Sequence, residues 1–527
     1  MLRVGIALDS LEPSAWIASA LERIQASSFA RIELVVLRSA RRSSHFSLFR
    51  AYQAWDYRRY RGEQDALAPT SVAAILRDVP RIEGGEEKSL SADLAARIRE
   101  AKLDVLIDFC AEAVPPSVGD GPKHGVWKPR SDLDFREIQG RGRSWQVLER
   151  NAVCAQSLNV LGVNGQERTL YASAAAMDRT SLYRSRNPIL WKSGEIVLRA
   201  LAGLATNGEV DTKLRPAEQP YREPRNMETA LYLARYIKWL VSARMRRSGA
   251  LPEHKWHIAL RKRTEGRSFD DPAGYALMPC AEDRFYADPF LFASQGKTWL
   301  FFEDFRYTEG RALISCCEVD EEGGFGEPFE VLRRPYHLSY PQVFEDGGEI
   351  YMLPESRSNR TVELYRATDF PRGWVAEAPL LNDVAAVDAT IHRQDGRYWM
   401  FAGMSDGRFS NSDEVSLFFA EGLNGPWRAH PMNPLISDVR KARPAGRLFV
   451  DEGRLIRPSQ DCSLAYGYGL VFSEVVKMTE TEYEERVVAR IEPTAFAGGV
   501  ANHTYNRTQR FEVVDRDLPR DSALRAE

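Results

Sequence analysis

The chain of 527 residues is too long for one ordinary hydrophobic core, so two or more domains are expected. Its composition is that of a globular protein, with 44% apolar and 28% charged residues. The formal net charge of -3 provides no basic field that would attract nucleic acid, and we predict no nucleic-acid partner.

Over residues 1–205, segments typical of strands alternate with segments typical of helices. The run LRVGIAL predicts a first strand, and SAWIASALERIQAS after it has the apolar spacing of a helix. Two more β-branched runs of strand length follow, ARIELVVLRS and LDVLIDFC, the second preceded by the helical SADLAARIREAK. This alternation predicts an α/β domain with a parallel sheet. No GxGxxG follows the first strand, so the dinucleotide fingerprint is absent, although the strand ends could bind other ligands.

Residues 206–253 are predicted to form a linker and one helix. The Pro-rich, charged stretch RPAEQPYREPRN is typical of a domain boundary. The apolar segment from Met227 to Gly249 predicts a helix with arginines near its C-terminal end, where cations favour the helix dipole. Two interpretations remain open: the helix packs between the domains, or its residues 227–247 lie on an anionic membrane surface.

The cysteines and the N-terminus bear on the cellular compartment. The six cysteines form no CxxC pair and are predicted to be buried free thiols in a reducing compartment. The N-terminal text MLRVGIALDSLEPSAW lacks the apolar core of a secretion signal. No run approaches the roughly 20 apolar residues that a membrane-spanning helix needs. We therefore expect a cytoplasmic location.

From residue 254 onward a repeat of about fifty residues replaces helical periodicity. Aligning the repeats places five residues at their starts, separated by 52, 48, 55 and 60 positions: Asp288, Tyr340, Asp388, Arg443 and His503. Each early repeat reads as strand, tight turn, strand and further strands, as in PQVFEDGGEIYML. Four strands per repeat predict the blades of a five-bladed β-propeller over 254–515. The strand-like text at 255–263 would complete the fifth blade, which removes an open sheet edge, and 516–527 would be a charged tail.

The propeller places the candidate site in its central channel. The first strand of each blade lines this channel, so the five residues at the repeat starts should converge there although they lie far apart in sequence. The second strands end in text that would add further polar groups, above all Glu355, Gln460 and Asp461. Carboxylates around one concave site suit glycosidic chemistry, and Arg or His would bind phosphate, carboxylate or sugar hydroxyls. The alternative is that the aspartates cap turns between strands. The sequence predicts no metal site and no cofactor.

Several motifs of this half resemble those of a known family. The runs YADPFLF, SYPQVF, YMLPES, DATIHR and RPSQDCSLAYG resemble the N-terminal propeller region of plant glucosamine inositolphosphorylceramide transferases and their bacterial relatives. More broadly, the region is similar to the five-bladed propellers of the glycoside hydrolase clan of β-xylosidases, arabinanases and invertases. That resemblance implies Asp288 as base and Asp388 as its supporting carboxylate. Blade four opens with Arg443 where the clan has an acidic residue, so Glu355 or Asp461 would serve as the acid.

The N-terminal region resembles the formyltransferase fold over residues 1–205. The resemblance is carried by LRVGIALDS, LDVLIDFC and HGVWKPRSDLDF. Active members have an Asn-x-His motif after the equivalent of LDVLIDFC, whereas this chain has GVWKPR there. The resemblance therefore implies a degenerate formyltransferase-like domain with a binding or scaffolding role.

Three functions follow as hypotheses. The first is a carbohydrate-active enzyme that cleaves or transfers a glycosyl unit in the propeller channel during glycan or glycolipid assembly. Its catalytic residues would be Asp288, Asp388 and Glu355, and its substrate-binding residues would be Tyr340, Arg443, Gln460, Asp461 and His503. The second is a non-catalytic module that binds a glycan or a sugar nucleotide. The third is a formyltransferase acting on an amino sugar.

Overall fold

The computed structural model divides the chain into two compact units, Met1–Met245 and Arg246–Glu527. It describes residues 1–38, 47–84, 90–111, 118–119, 121–133, 152–161, 167–178, 180–209, 213–214, 224–246, 254–496 and 498–519. Parts of the predicted linker and residues 520–527 of the predicted tail lie outside these described residues.

The first unit is built on one sheet with strand order β3-β2-β1-β4-β5-β6-β7-β8. Its strands are β1 Leu2–Leu8, β2 Ala30–Arg38, β3 Arg81–Gly84, β4 Val105–Asp108, β5 Val126–Ser131, β6 Val153–Leu161, β7 Glu167–Ala176 and β8 Lys213–Leu214. Pairing is parallel from β3 to β5, which confirms the predicted α/β sheet. The pairs from β5 to β8 are antiparallel, and the sequence analysis did not anticipate this half.

The described residues of the first unit also form five helices. They are α1 Ala15–Ala26, α2 Leu48–Tyr60, α3 Leu90–Glu100, α4 Leu182–Asn207 and α5 Asn226–Arg246. Helix α1 buries Ile17, Leu21 and Ile24 against the apolar strands because their spacing places them on one helical face. The chain passes from β1 to β2 and β3 on one side and returns to β4 on the other, so neighbouring β1 and β4 form a topological switch point.

Helix α5 packs on the first unit by one face only. Tyr232 contacts Tyr52 of α2 with ring centroids 5.6 Å apart, and the buried Tyr236 donates its hydroxyl to the Thr180 carbonyl. The opposite face of α5 exposes a row of apolar side chains: Met227, Leu231, Ile237 and Val241. Among the described residues, no helix is both long and apolar enough to span a bilayer.

The second unit is a five-bladed propeller, as predicted, because its described strands form five separate sheets. Blade one comprises β11 Arg284–Ser294, β12 Lys297–Arg306, β13 Arg311–Val319 and β14 Phe329–Leu332. Blade two comprises β15 Ser339–Asp346, β16 Glu349–Ser356, β17 Thr361–Val362, β18 Tyr365–Asp369, β19 Gly373–Ala376 and β20 Leu381–Asn382. Blade three comprises β21 Ala386–Gln394, β22 Arg397–Met404, β23 Glu414–Ala420, β24 Arg428–Ala429 and β25 Ile436–Ser437. Blade four comprises β26 Phe449–Asp451, β27 Arg454–Asp461, β28 Gly469–Met478 and β29 Tyr483–Ile491.

Blade five joins the two ends of the propeller sequence. It comprises β9 His254–Lys262, β10 Ala276–Leu277, β30 Tyr505–Arg507 and β31 Phe511–Pro519. Strand β31 pairs antiparallel with β9 along its whole length, from Phe511 opposite Lys262 to Pro519 opposite His254. The predicted closure is therefore confirmed. The strand runs to Pro519, so the first residues of the predicted tail are part of the blade.

Candidate functional site

Three of the residues at the repeat starts share an unusual backbone conformation. Asp288, Tyr340 and Asp388 have φ angles of 49°, 47° and 51°, in the left-handed region that non-glycine residues rarely occupy. In each blade the pairing of the first two strands skips at this point, which is a β-bulge. Such a conformation costs about 1–3 kcal/mol per residue and clusters at functional sites. The three blades thus present these side chains in the same way.

Blades three and four are linked by a buried ion pair. Arg443 Nε lies 2.6 Å from Asp388 Oδ2, and their side chains are 8% and 3% exposed. Gln460 Nε2 donates to the same Asp388 oxygen at 3.0 Å and to the Pro444 carbonyl at 2.9 Å. Glu355 lies next to this pair, with its Oε2 atom 3.9 Å from Arg443 Nη2. Asp388 is therefore fixed by two donors, and Glu355 shares the cation.

Blades one and five meet around His503. Its Nδ1 atom lies 2.6 Å from Asp515 Oδ2, and its Nε2 atom lies 3.6 Å from Asp288 Oδ1. Asp288 Oδ1 also accepts a hydrogen bond from the Thr504 hydroxyl at 2.7 Å. Burial lowers the pKa of His503, but the Asp515 and Asp288 carboxylates outweigh it and raise that pKa to about 9. His503 is therefore an imidazolium between two carboxylates at neutral pH.

The carboxyl groups of the channel do not share one protonation state. Burial raises the pKa of Glu355 to about 8, and the neighbouring Asp388 charge adds to the effect. Burial also raises the pKa of Asp288, but His503 opposes it and the value is only about 6. Burial and the Asp288 charge raise the pKa of Glu303 well above its usual range. At neutral pH the site therefore holds protonated Glu355 beside ionised Asp288.

Aromatic groups border the same site. Tyr466 is 50% exposed, its ring lies 4.9 Å from the Arg443 guanidinium carbon, and it meets the His503 ring edge-on at 5.3 Å. The Trp256 ring lies over His503 with centroids 4.1 Å apart. Tyr340 is fully buried, and its hydroxyl contacts Thr390 Oγ1 at 2.9 Å. Tyr466 is thus an accessible ring beside the charged groups, suited to stack on a sugar.

The structure separates the predicted site residues into two groups. The mutual contacts and electrostatic effects described above connect seven of the eight: Asp288, Tyr340, Glu355, Asp388, Arg443, Gln460 and His503. Asp461 is different, because its carboxylate accepts from the Ser463 amide at 2.9 Å and faces Arg490 at 3.4 Å. Side chains alternate along β27, so Gln460 and its neighbour Asp461 point to opposite faces. Asp461 therefore points away from Gln460.

Four further residues of the site escaped the sequence analysis or were given no role by it. Thr504 follows His503 directly, and Tyr466 lies in the loop after β27. Asp515 lies on β31, whose link to blade five depends on the closure with β9. Glu303 lies on β12, the second strand of blade one. Two of these residues had a signal in the sequence: Asp515 lies in the segment EVVDRD, and Glu303 lies in FFED at the end of the second strand of blade one.

One group of these residues has the composition of a metal site. Asp288, His503 and Asp515 bring one ligand atom each within 4.8 Å of one another. A cation there would have to displace the proton that the two carboxylates hold on His503. The ion pairs of His503 already provide a positive charge at this point, so the triad is satisfied without a metal.

Comparison with known proteins finds a family model and curated relatives that resemble the propeller half. Residues 276–515 match the family model described as glucosamine inositolphosphorylceramide transferase 1, N-terminal. The protein of that name from Oryza sativa subsp. japonica is 34% identical over 239 residues, which are 43% of this chain and 32% of the relative. The Arabidopsis thaliana protein of the same name is 34% identical over 205 residues, 38% of this chain and 27% of the relative. The chain thus spans about a third of the length of the curated relatives it matches.

Several solved glycoside hydrolase structures resemble part of this chain. A family 117 glycoside hydrolase from Zobellia galactanivorans is 10% identical with a TM-score of 0.33, over 51% of this chain and 92% of that one. The GH43_1 enzyme from Xanthomonas citri in complex with xylotriose is 13% identical with a TM-score of 0.33, over 45% and 88%. An exo-β-1,3-galactanase from Phanerochaete chrysosporium with galactose is 15% identical with a TM-score of 0.31, over 41% and 53%. The resemblance of the propeller half to the transferase family, predicted from its motifs, is confirmed.

Proposed function

We propose that this protein cleaves or transfers a glycosyl unit in the propeller channel during the assembly of a glycan or glycolipid. The observation that carries the proposal is a pair of carboxyl groups in one site whose pKa values are pushed apart, to about 6 for Asp288 and about 8 for Glu355. Such a separation assigns one group as base and the other as acid at neutral pH. The names of the matched relatives, which contain glucosamine and a ceramide lipid, support a glycolipid as substrate or product.

The chemistry assigns one step to each carboxyl group. Glu355 donates its proton to the glycosidic oxygen as the bond from that oxygen to the anomeric carbon breaks. The hydroxyl of water or of an acceptor attacks the anomeric carbon and gives its proton to ionised Asp288. Arg443 forms a buried ion pair with Asp388, and the Asp388 charge opposes loss of the Glu355 proton. Tyr466 provides the exposed ring on which the sugar stacks.

We expect a bell-shaped dependence of kcat/KM on pH. Activity should rise as pH passes about 6, because Asp288 then loses its proton and becomes a base. It should fall as pH passes about 8, because Glu355 then loses the proton it must donate. The measurement is the rate of sugar release from a panel of sugar nucleotides and aryl glycosides.

The matched variant for this profile is Glu355→Gln, which cannot donate an ionisable proton. Its residual activity with aryl glycosides should be higher than with poor leaving groups, because aryl leaving groups need little protonation. Its profile should also lack the alkaline limb. An alkaline limb that persists in Glu355→Gln would assign the acid to another residue, and Glu303 would be the first candidate.

The second candidate function is a non-catalytic glycan or sugar-nucleotide binding module. The observation in its favour is that Arg443 occupies the start of blade four and is committed to a buried ion pair with Asp388. This function predicts saturable binding of sugar nucleotides without product, lost in Arg443→Ala and retained in Asp288→Asn.

The third candidate function is formyl transfer to an amino sugar. It predicts a rise in Tm with a formyl-tetrahydrofolate analogue, and no rise would dismiss it.

We also propose that α5 lies on an anionic membrane surface. Leu231 and Val241 are 58% and 54% exposed on its outer face, with Arg235 and Lys238 exposed beside them. An apolar stripe flanked by cations is the pattern of an interfacial helix, and it would bring the chain to a lipid-linked substrate.

The expected result is that the chain floats with phosphatidylcholine vesicles that contain phosphatidylglycerol, and less with vesicles that lack it. The double variant Leu231→Glu/Val241→Glu should weaken this binding about tenfold or more, because two apolar side chains no longer leave water. The matched control is Val450→Glu on the propeller, where a 62% exposed valine gains the same charge. Equal flotation of all three proteins would contradict the membrane proposal.

A further inference from the structure

The first unit contains a cavity of about 580 Å³ at the carboxyl ends of its parallel strands. Its walls include Asp9 after β1, Phe109 and Cys110 after β4, and Lys128 and Arg130 on β5. These elements flank the switch point between β1 and β4, where open α/β sheets bind ligands. The cavity lies within residues 1–245 and shares no residue with the propeller site.

Two of the cations that line this cavity, Lys128 and Arg130, belong to the segment GVWKPR, and Arg186 lines it as well. Lys128 Nζ donates to Asp108 Oδ2 and to the Cys110 carbonyl, both at 2.8 Å, which uses two of its three N–H groups. Among the described residues, Arg130 has one carboxylate partner, Glu167, at a loose 3.6 Å, and its side chain is 16% exposed. Both side chains therefore have donors left for an anion.

The acidic residues of the wall are engaged by neighbouring donors. Asp108 is neutralised by Lys128 and also accepts the Cys110 amide at 3.0 Å. Asp9 accepts a hydrogen bond from the Ala111 amide at 2.8 Å, which fixes the loop after β4. Glu12 lies at the exposed rim. The interior of the cavity thus presents N–H donors while its carboxylates are engaged.

The remaining wall is aromatic and apolar. Trp16 and Phe109 meet edge-on with ring centroids 5.4 Å apart, and both line the cavity with Phe49 and Leu190. Burial raises the pKa of the Cys110 thiol, so this group is neutral and adds to the apolar surface. A ligand that contacts both the cationic wall and the aromatic wall needs an anionic group and a flat ring.

We propose that this cavity binds a nucleoside phosphate, with its base against Trp16 and Phe109 and its phosphate on Lys128 and Arg130. The volume is in the range of small-molecule sites and far exceeds the needs of an inorganic anion. The cations meet phosphate through charge-assisted hydrogen bonds, and the rings meet the base by stacking. The site is separate from the chemistry in the propeller channel and does not depend on it.

The test is isothermal titration of the full chain with UMP, uridine and inorganic phosphate as separate ligands. UMP should bind saturably, and uridine and phosphate should each bind about tenfold or more weakly, because each satisfies one wall only. Arg130→Gln should weaken UMP binding about tenfold, and Phe109→Leu should weaken UMP and uridine but leave phosphate unchanged. The two variants come from different strands, so a folding defect in one leaves the other as a test.

The matched control is Arg31→Gln. Arg31 also has one carboxylate partner at 3.6 Å, Glu33, but it lies near the amino end of β2, away from the cavity. This variant should bind UMP as the unaltered chain does. No saturable UMP binding at millimolar concentration would overturn the proposal. Equal weakening by Arg31→Gln and Arg130→Gln would also overturn it, since binding would then follow net charge.

Discussion

Replacing Asp288 with Asn is expected to reduce glycosyl turnover about a thousandfold while the propeller stays folded. The amide oxygen can still accept the hydrogen bond that the Thr504 hydroxyl donates to the carboxylate at 2.7 Å, so this local hydrogen bond survives. It cannot take a proton from the attacking hydroxyl, which is the role proposed for Asp288. The measurement is kcat with UDP-N-acetylglucosamine, UDP-glucosamine and p-nitrophenyl glycosides, alongside Tm.

The matched control for this variant is Asp461→Asn. Asp461 is another aspartate of the same propeller, and its carboxylate faces Arg490 at 3.4 Å and accepts the Ser463 amide. Its replacement should leave kcat within about twofold, since a surface ion pair contributes little. Full turnover by Asp288→Asn would contradict the assignment of Asp288 as base. Saturable sugar binding without product in both proteins would favour the binding module.

The propeller was predictable because its repeat is written in the sequence. Asp288, Tyr340 and Asp388 lie at steps close to fifty residues. They share a left-handed φ angle, so the repeat preserves a backbone conformation at this position although the residue type varies. The closure of blade five followed from a physical requirement, since a ring leaves no free edge. Its observed pairing of Phe511 with Lys262 spans the domain from end to end.

The remaining site residues could not be predicted, because their place depends on tertiary contacts that no local pattern encodes. Asp515 enters only through the pairing of β31 with β9, and Tyr466 enters from a loop. Asp461 adjoins Gln460 in sequence, but the alternation of side chains along β27 turns it to the other face. The spacing of the repeats was enough to locate the channel. The protonation states of Glu355 and His503 could not be predicted from spacing, because they depend on burial and on neighbouring charges.

Replacing Arg443 with Met is expected to lower the free energy of unfolding of the propeller by about 3–5 kcal/mol. The Asp388 carboxylate, 3% exposed, would lose the cation 2.6 Å away and keep the Gln460 amide as a donor at 3.0 Å. An uncompensated buried charge carries most of this cost. The measurement is urea unfolding of the full chain, with hydrogen exchange of propeller peptides to locate the transition.

Two further variants distinguish charge burial from packing as the cause. The double variant Arg443→Met/Asp388→Leu removes both charges and should recover most of the stability, because replacing a buried ion pair with apolar groups is often neutral. Arg454→Met is the control, since Arg454 is 38% exposed and its ion pair with Glu452 should contribute less than about 1 kcal/mol. A double variant no more stable than Arg443→Met would assign the loss to packing. The ion pair would then be a structural tie between blades three and four, and the raised pKa of Glu355 would rest on burial more than on the charge of Asp388.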